Sequence, residues 1–148
     1  MAAEIIRPRI ATLADVPGMH VVRRAVRENR LTTGRITEAS YAPEIGQTGR
    51  GWVVEREGAI AGFAVGNVVT GNIWALFVHP DHEGHGVGRA LHDVMVAWLF
   101  DQGLTRLHLT TEPETRAQRF YERAGWVRTG EDEHGDAAFE LRRPAGSG

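Results

Sequence analysis

A chain of 148 residues with 42% apolar and 24% charged residues is long enough and apolar enough for one domain with a sizeable core. Its net charge of -2 offers no basic excess for nucleic acid, and the absence of cysteine excludes disulfides, thiolate zinc sites and a cysteine nucleophile. No apolar run approaches the ~20 residues of a membrane helix, and 1–10 lacks the apolar block of a signal peptide, so the expectation is a cytoplasmic protein with neither membrane nor nucleic acid as partner.

The first stretch, Glu4–Ile10, reads as an edge strand, because Pro8 has no N–H to donate and suits only an edge or a bulge. Thr12 followed three residues later by Asp15 is a capping arrangement. Met19, Val22 and Val26 then recur at helical spacing, which predicts a helix to about Asn29. A shorter helix is expected over Thr37–Ile45. The period changes beyond it: Trp52–Arg56 and Ile60–Val69 are strand-like runs joined by a hairpin signal at Glu57-Gly58, and Thr70-Gly71-Asn72 is a second turn. Ile73–Val78 is continuously apolar, as expected of a central strand buried on both faces. After the polar segment 79–85 the helical period returns, with Leu91, Val94, Met95, Trp98 and Leu99 on one stripe and Gly103 as its stop. Leu104–Thr111 reads as a strand and Glu114–Ala124 as a helix, with Pro113 near its start and Gly125 at its end. Trp126–Thr129 and Ala137–Leu141 close the chain as a hairpin. The order β-α-α-β-β-β-α-β-α-β-β predicts a single α/β domain over 1–143 around a mixed sheet, with 144–148 as a disordered tail.

The chemistry concentrates where the apolar strand gives way to the long helix. Gly84, Gly86 and Gly88 stand at alternate positions there, removing Cβ atoms where backbone must approach something closely. The N–H groups of a helix start point into that space and, with the helix dipole, make an anion site whose natural guest is phosphate. Two known phosphate loops do not fit. A P-loop ends in Gly-Lys-Ser/Thr, whereas Gly88 is followed by Arg89-Ala90. A dinucleotide fold opens its first helix with G-x-G-x-x-G, and here the spacing is G-x-G-x-G in mid-chain.

The stretch Glu83-Gly84-His85-Gly86-Val87-Gly88 resembles the signature of the GNAT N-acetyltransferase superfamily, Gln/Arg-x-x-Gly-x-Gly/Ala. Gly86 and Gly88 match, and Glu83 departs from the Gln/Arg position. Downstream, Ala117-Gln118-Arg119-Phe120-Tyr121-Glu122-Arg123-Ala124-Gly125-Trp126 resembles the family's Ala-x-x-Phe-Tyr-Glu-x-x-Gly-Phe segment, with Glu114 where relatives usually carry Asn. The element order agrees from about residue 4 to 142. The resemblance implies a GNAT-like domain: a central, mostly antiparallel mixed sheet of about seven strands flanked by about four helices.

It also implies the reaction, attack of a primary amine on the thioester of acetyl-CoA in a ternary complex, with acetyl-CoA as co-substrate and no metal. The coenzyme's pyrophosphate falls to the amides of Gly84, His85, Gly86, Val87, Gly88 and Arg89. Its pantetheine arm is expected along Leu76-Phe77-Val78, where strands splay in the family, with the Phe77 or Val78 N–H at the oxyanion. Glu114, Ala117 and Phe120 complete the expected coenzyme contacts. Tyr121 corresponds to the family's general acid beside the coenzyme sulfur. Many relatives place a glutamate on the central strand as base, and Asn72 lies near that position here; Glu28, His108 and Glu112 are the candidates instead, Glu28 first. Val26, Arg27, Glu28, Asn29, Arg30 and Tyr41 are expected to face a small-molecule or peptide amine, and Trp74 and Trp52 either line that pocket or fill core. A homodimer is open, since relatives commonly dimerise.

Two rival readings carry features of their own. His79, His82 and His85 with Asp81 and Glu83 are potential metal ligands, but in a loop of Pro80 and glycines without fixed spacing. A non-catalytic acyl-CoA-binding module on the same fold is the alternative function, suggested by the missing strand glutamate and the Glu83 and Glu114 substitutions; Tyr121 speaks for catalysis.

Overall fold

The computed structural model describes residues 5–26, 36–113 and 115–144. Among them are seven strands and four α-helices in the order β1 (Arg9–Ile10), α1 (Val16–Val26), α2 (Tyr41–Gly46), β2 (Gly49–Arg56), β3 (Ala59–Asn67), β4 (Ile73–Val78), α3 (Val87–Asp101), β5 (Arg106–Thr111), α4 (Arg116–Arg123), β6 (Val127–Glu131) and β7 (Ala137–Arg142). Strand β1 is shorter than expected, only two residues at the edge of its sheet, paired from Arg9 opposite Val53. Pro8, just before it, cannot donate to a ladder. Asp15 accepts from the Thr12 amide at 2.8 Å and from both terminal nitrogens of Arg9 at 2.8 Å, so one carboxylate caps the helix entry and ties it to β1. That guanidinium pulls the Asp15 pKa down to about 2. Helix α4 begins two residues later than expected, at Arg116, because the Thr115 side chain is its N-cap and accepts from the Gln118 amide at 3.2 Å.

The expected single sheet is instead two antiparallel sheets, β1-β2-β3-β4 and β5-β7-β6. They touch through one parallel bridge, Asn72 to His108, after which β4 and β5 diverge. Packing joins them in place of a ladder. Leu91, Met95 and Leu99 of α3 share a core with Trp52 and Ala64 of the first sheet and with Leu107, Leu109 and Phe139 of the second. A separate cluster lies under α1 and α2, where Met19, Val22 and Tyr41 meet Val53, Phe63 and Val65.

Divergence leaves β4 unlike a strand buried on both faces. Only Ile73 and Ala75 are buried; Trp74, Leu76, Phe77 and Val78 are partly open. The apolar run has a second cause, a cleft along its free edge. Between Gly66↔Ile73 and Val65↔Ala75 the register slips by one residue, and the extra residue is Trp74. Such a bulge re-aims the side chain it carries, and Trp74 packs on the α1 side, its ring centroid 5.1 Å from that of Tyr41.

Candidate active site

Beyond Val78 the chain makes one tight turn, Pro80–His82, and reaches α3 through two left-handed glycines, Gly84 at φ 82° and Gly86 at φ 83°. Gly86 is the N-cap, and the Ala90 amide bonds its carbonyl at 3.1 Å. The amides of Val87, Gly88 and Arg89 therefore precede the first bond of the helix and have no acceptor within it. A Cβ built on Gly84 or Gly86 would meet nothing within 4 Å, so open space lies in front of the loop. At Gly88 it would press on Val78 at 3.3 Å and touch Phe120 at 3.7 Å, so the helix start lies close to both β4 and α4.

The loop is held from behind. The His82 ring bonds Arg56 at 2.5 Å, and His79 Nδ1 accepts from the Asp81 amide at 3.1 Å. No group of three metal-ligating side chains converges among the described residues. Glu83, the departure from the motif, pairs with Arg116 at 2.5 Å, so its charge is compensated at the start of α4.

A cleft of about 960 Å³ runs between the diverging strands. Along its floor are Leu76, Phe77 and Val78; at one end are Gly84, Gly86, Val87, Gly88 and Arg89, with Ala117, Phe120 and Tyr121 on the α4 side. Of the residues expected at the coenzyme, His85 alone among those described is not on the wall; it is exposed, one step before the N-cap. Glu114 lies outside the described residues. The backbone adds a distinction. His79 donates to Ala61 of β3 at 2.8 Å, and Phe77 is opposite Phe63. By the alternation of antiparallel pairs the Phe77 N–H also turns to β3, while Leu76 and Val78 present theirs to the cleft. Phe77 is thereby removed as an oxyanion donor and Val78 is kept.

Tyr121 is buried, with its ring edge-on to Phe120 at 5.4 Å and Trp126 at 5.6 Å. Among the described residues nothing hydrogen-bonds its hydroxyl, and burial raises its pKa well above the ordinary phenol value. Behind it sits a residue that sequence reasoning passed over. His92 is buried in α3, accepts from Trp126 Nε1 through Nε2 at 2.9 Å, and contacts Asp93 through Nδ1 at 2.8 Å. The Trp126 bond requires a bare Nε2, so the ring is neutral with its proton on Nδ1. Burial lowers its pKa against the pull of Asp93. This pair clamps α3 to the end of α4 and so holds Tyr121.

The opposite wall comes from α1 and the Trp74 bulge. Val26 and Trp74 reach the cleft; Trp52 does not, being core against Trp98. Tyr41, expected at the acceptor, is fully buried and bonds His20 at 3.0 Å, because it fills the space between α1 and β3. Of the base candidates, His108 turns its Nε2 to the Thr70 carbonyl at 3.1 Å and is not on the cleft wall, whereas Glu112 is; Glu28, with Arg27, Asn29 and Arg30, lies outside the described residues. The residue missed here is Arg23. It is only 9% exposed, yet lines the cleft, and its guanidinium carbon sits 4.7 Å from the Trp74 ring centroid, 5.0 Å from Phe77 and 5.7 Å from Tyr41. Burial lowers its pKa, partly offset by Tyr41. Among the described residues, its Nε and Nη2 are buried without any hydrogen-bond partner. An uncompensated buried charge costs about 3–5 kcal/mol, of which each aromatic face recovers roughly 0.5–2 kcal/mol. The signal was present in the sequence: Met19, Val22, Arg23 and Val26 follow i, i+3, i+4, i+7, so the arginine occupies an inward position of an apolar stripe.

A strand parted from its neighbour beside a glycine-started helix defines an α/β domain whose cleft is lined by an open strand edge and a helix start. The chain belongs to the acetyltransferase (GNAT) family, whose profile matches residues 20–126. It is similar to mycothiol acetyltransferase of Geodermatophilus obscurus, 41% identical over 64 residues, which are 43% of this chain and 21% of that protein, so the chain spans only about a fifth of that relative's length. The fold is that of an N-acetyltransferase from Staphylococcus aureus Mu50, with a TM-score of 0.79, 15% identity, and 94% of this chain and 99% of that one covered. It is equally that of the acetyltransferase yncA from Salmonella typhimurium, solved with its cofactor acetyl-CoA, with a TM-score of 0.78, 18% identity and 98% of each chain covered. No helix among the described residues is long and apolar enough to cross a membrane.

Proposed function

We propose that the chain is an N-acetyltransferase that moves the acetyl group of acetyl-CoA to a primary amine by direct attack in a ternary complex. The observation that carries this reading is the juxtaposition of an open β4 edge, an anion-ready α3 start and the Tyr121 hydroxyl on one cleft. Open ground before Gly84 and Gly86 suits a diphosphate, and the helix dipole, equivalent to roughly half a positive charge, favours it. Acetyl-CoA supplies an activated carbonyl and a thiolate leaving group.

The residues divide the remaining work. The Leu76 and Val78 main chain pairs with the extended arm of the coenzyme as a further strand would. The Val78 N–H meets the carbonyl oxygen as charge develops on it. Tyr121 donates a hydrogen bond to the departing sulfur. Burial raises its pKa while a thiol titrates near about 8.5, so full proton transfer runs uphill and the hydroxyl acts chiefly as a donor. Glu28 and Glu112 are the groups proposed for accepting the amine's proton, and Glu114 for the α4 side of the coenzyme. Two measurements test the reading: calorimetry with coenzyme A, and thiol release from acetyl-CoA across an amine panel. Turnover with an amine supports it. Binding without turnover on any amine would leave a binding module in its place, and no binding at millimolar coenzyme would end it.

A further inference from the structure

The acetyltransferase reading leaves the acceptor unnamed, and one buried group bears on it. Arg23 lines the cleft from α1, on the wall opposite α4 and against the β4 bulge. Its three aromatic neighbours cover the guanidinium without hydrogen-bonding to Nε or Nη2. Those two nitrogens are the fork that takes a carboxylate in bidentate fashion. In a chain where Arg9, Arg89, Arg106, Arg116 and Arg142 all pair with carboxylates, Arg23 is buried with that fork unmatched.

We propose that Arg23 is the anion-binding group of the acceptor subsite, and that the acceptor is an amine that also carries a carboxylate. This proposal rests on the acetyltransferase reading and deepens it. The fork is closed to solvent, so pairing requires rotation about the outer side-chain torsions, turning the buried Nε/Nη2 edge into the cleft while the aliphatic stem stays packed. A neutral carbonyl gains a hydrogen bond from that turn but leaves the charge uncompensated. An ammonium in the same place would face an unscreened like charge. A carboxylate compensates the buried cation and, by holding one end of the acceptor, directs its amine along the cleft toward the Tyr121 end. The planar fork makes the choice specific to arginine, because a lysine ammonium offers a point charge without the two parallel donors.

The test compares amines that differ only in that group: glycine with glycinamide, β-alanine with β-alaninamide and leucine with leucinamide. Rates of thiol release from acetyl-CoA are expressed per neutral amine, because the amide lowers the amine's pKa. Coenzyme A affinity by calorimetry reports whether each variant retains the folded cleft. The expected result is a preference for at least one carboxylate partner of roughly 10- to 100-fold in kcat/KM, the range of a charged hydrogen-bonded contact. R23M should bring that preference within about 3-fold of unity and R23K should leave an intermediate value, with coenzyme A affinity held. Equal rates within every pair in the wild-type protein would overturn the proposal, a comparison that needs no variant to fold. Preference retained in a folded R23M would overturn the role of Arg23. Absence of turnover with every amine would overturn the acetyltransferase reading and this proposal with it, whereas turnover without preference removes this proposal alone.

Discussion

On the wall made by the glycine loop, α3 and α4, the groups offered to the cleft are the main-chain amides of the α3 start, the rings of Phe120 and Tyr121, and side chains that include Glu83, Arg89, Thr115 and Arg116. On the wall made by α1 and the bulge of β4, they are a guanidinium and an indole. The first arrangement suits a ligand part that never varies, since backbone donors are set by the fold. The second depends wholly on side-chain identity and can change without disturbing the first. On the proposed reading, coenzyme recognition and acceptor choice fall on different parts of the chain, and substitutions should separate them.

The largest effect is expected at Gly88. A Cβ there is already tight against Val78 and in contact with Phe120, and two further methyls would crowd both, so Gly88→Val should weaken coenzyme A binding roughly 100-fold, about 2.7 kcal/mol, measured by calorimetry. A Gly88→Val protein that binds normally would contradict the assignment of the loop. An effect of comparable size is expected on the rate rather than on binding: Tyr121→Phe should lower kcat by roughly 10- to 1000-fold while leaving the coenzyme Kd in place. Burial keeps the phenol protonated beyond its ordinary value of about 10, so the wild-type rate should rise with amine deprotonation and show no loss from Tyr121 up to that pH. A fall in kcat centred near pH 8 that vanishes in Tyr121→Phe would refute this.

Smaller effects concern the supports. His92 is neutral in the fold with a lowered pKa, so protonation favours the unfolded chain. Its stabilising contribution is complete above the unfolded value of about 6.5 and declines as the pH drops below it toward the folded pKa. Melting temperature should fall in that window and flatten in His92→Gln. Asp15 acts lower, losing its contribution between about 4 and about 2 as its carboxylate protonates. The smallest change is expected from Glu83→Gln, which removes an exposed anion beside the loop. Coenzyme affinity should tighten by about 2- to 5-fold at low salt and by less at high salt.

Much of this was legible in the sequence because it rests on local rules. The Thr12–Asp15 cap, the hairpin at Glu57-Gly58, the α3 stripe and the glycine-started helix all appear in place. The features that escaped depend on how distant segments meet. Continuous apolarity in β4 suggests burial on both faces, yet it also suits a strand beside a ligand cleft, and periodicity cannot tell them apart. The Trp74 bulge arises from a register between β3 and β4 that neither strand specifies alone. Arg23 and His92 are polar residues at inward helix positions, where reading for apolar spacing passes over the exceptions. Tyr41 was placed at the acceptor from its neighbourhood in the chain, but α1 folds over it.

The single Asn72–His108 rung has a mechanical consequence. A hydrogen-bonded ladder holds neighbouring strands at one spacing, about 4.8 Å, and breaks when stretched. The two sheets here are held by apolar contacts, which have no preferred direction and yield gradually. An extended guest that pairs with β4 would supply the missing rungs. Amide exchange in β4 and β5 should slow together on coenzyme binding, two halves of the molecule becoming one cooperative unit.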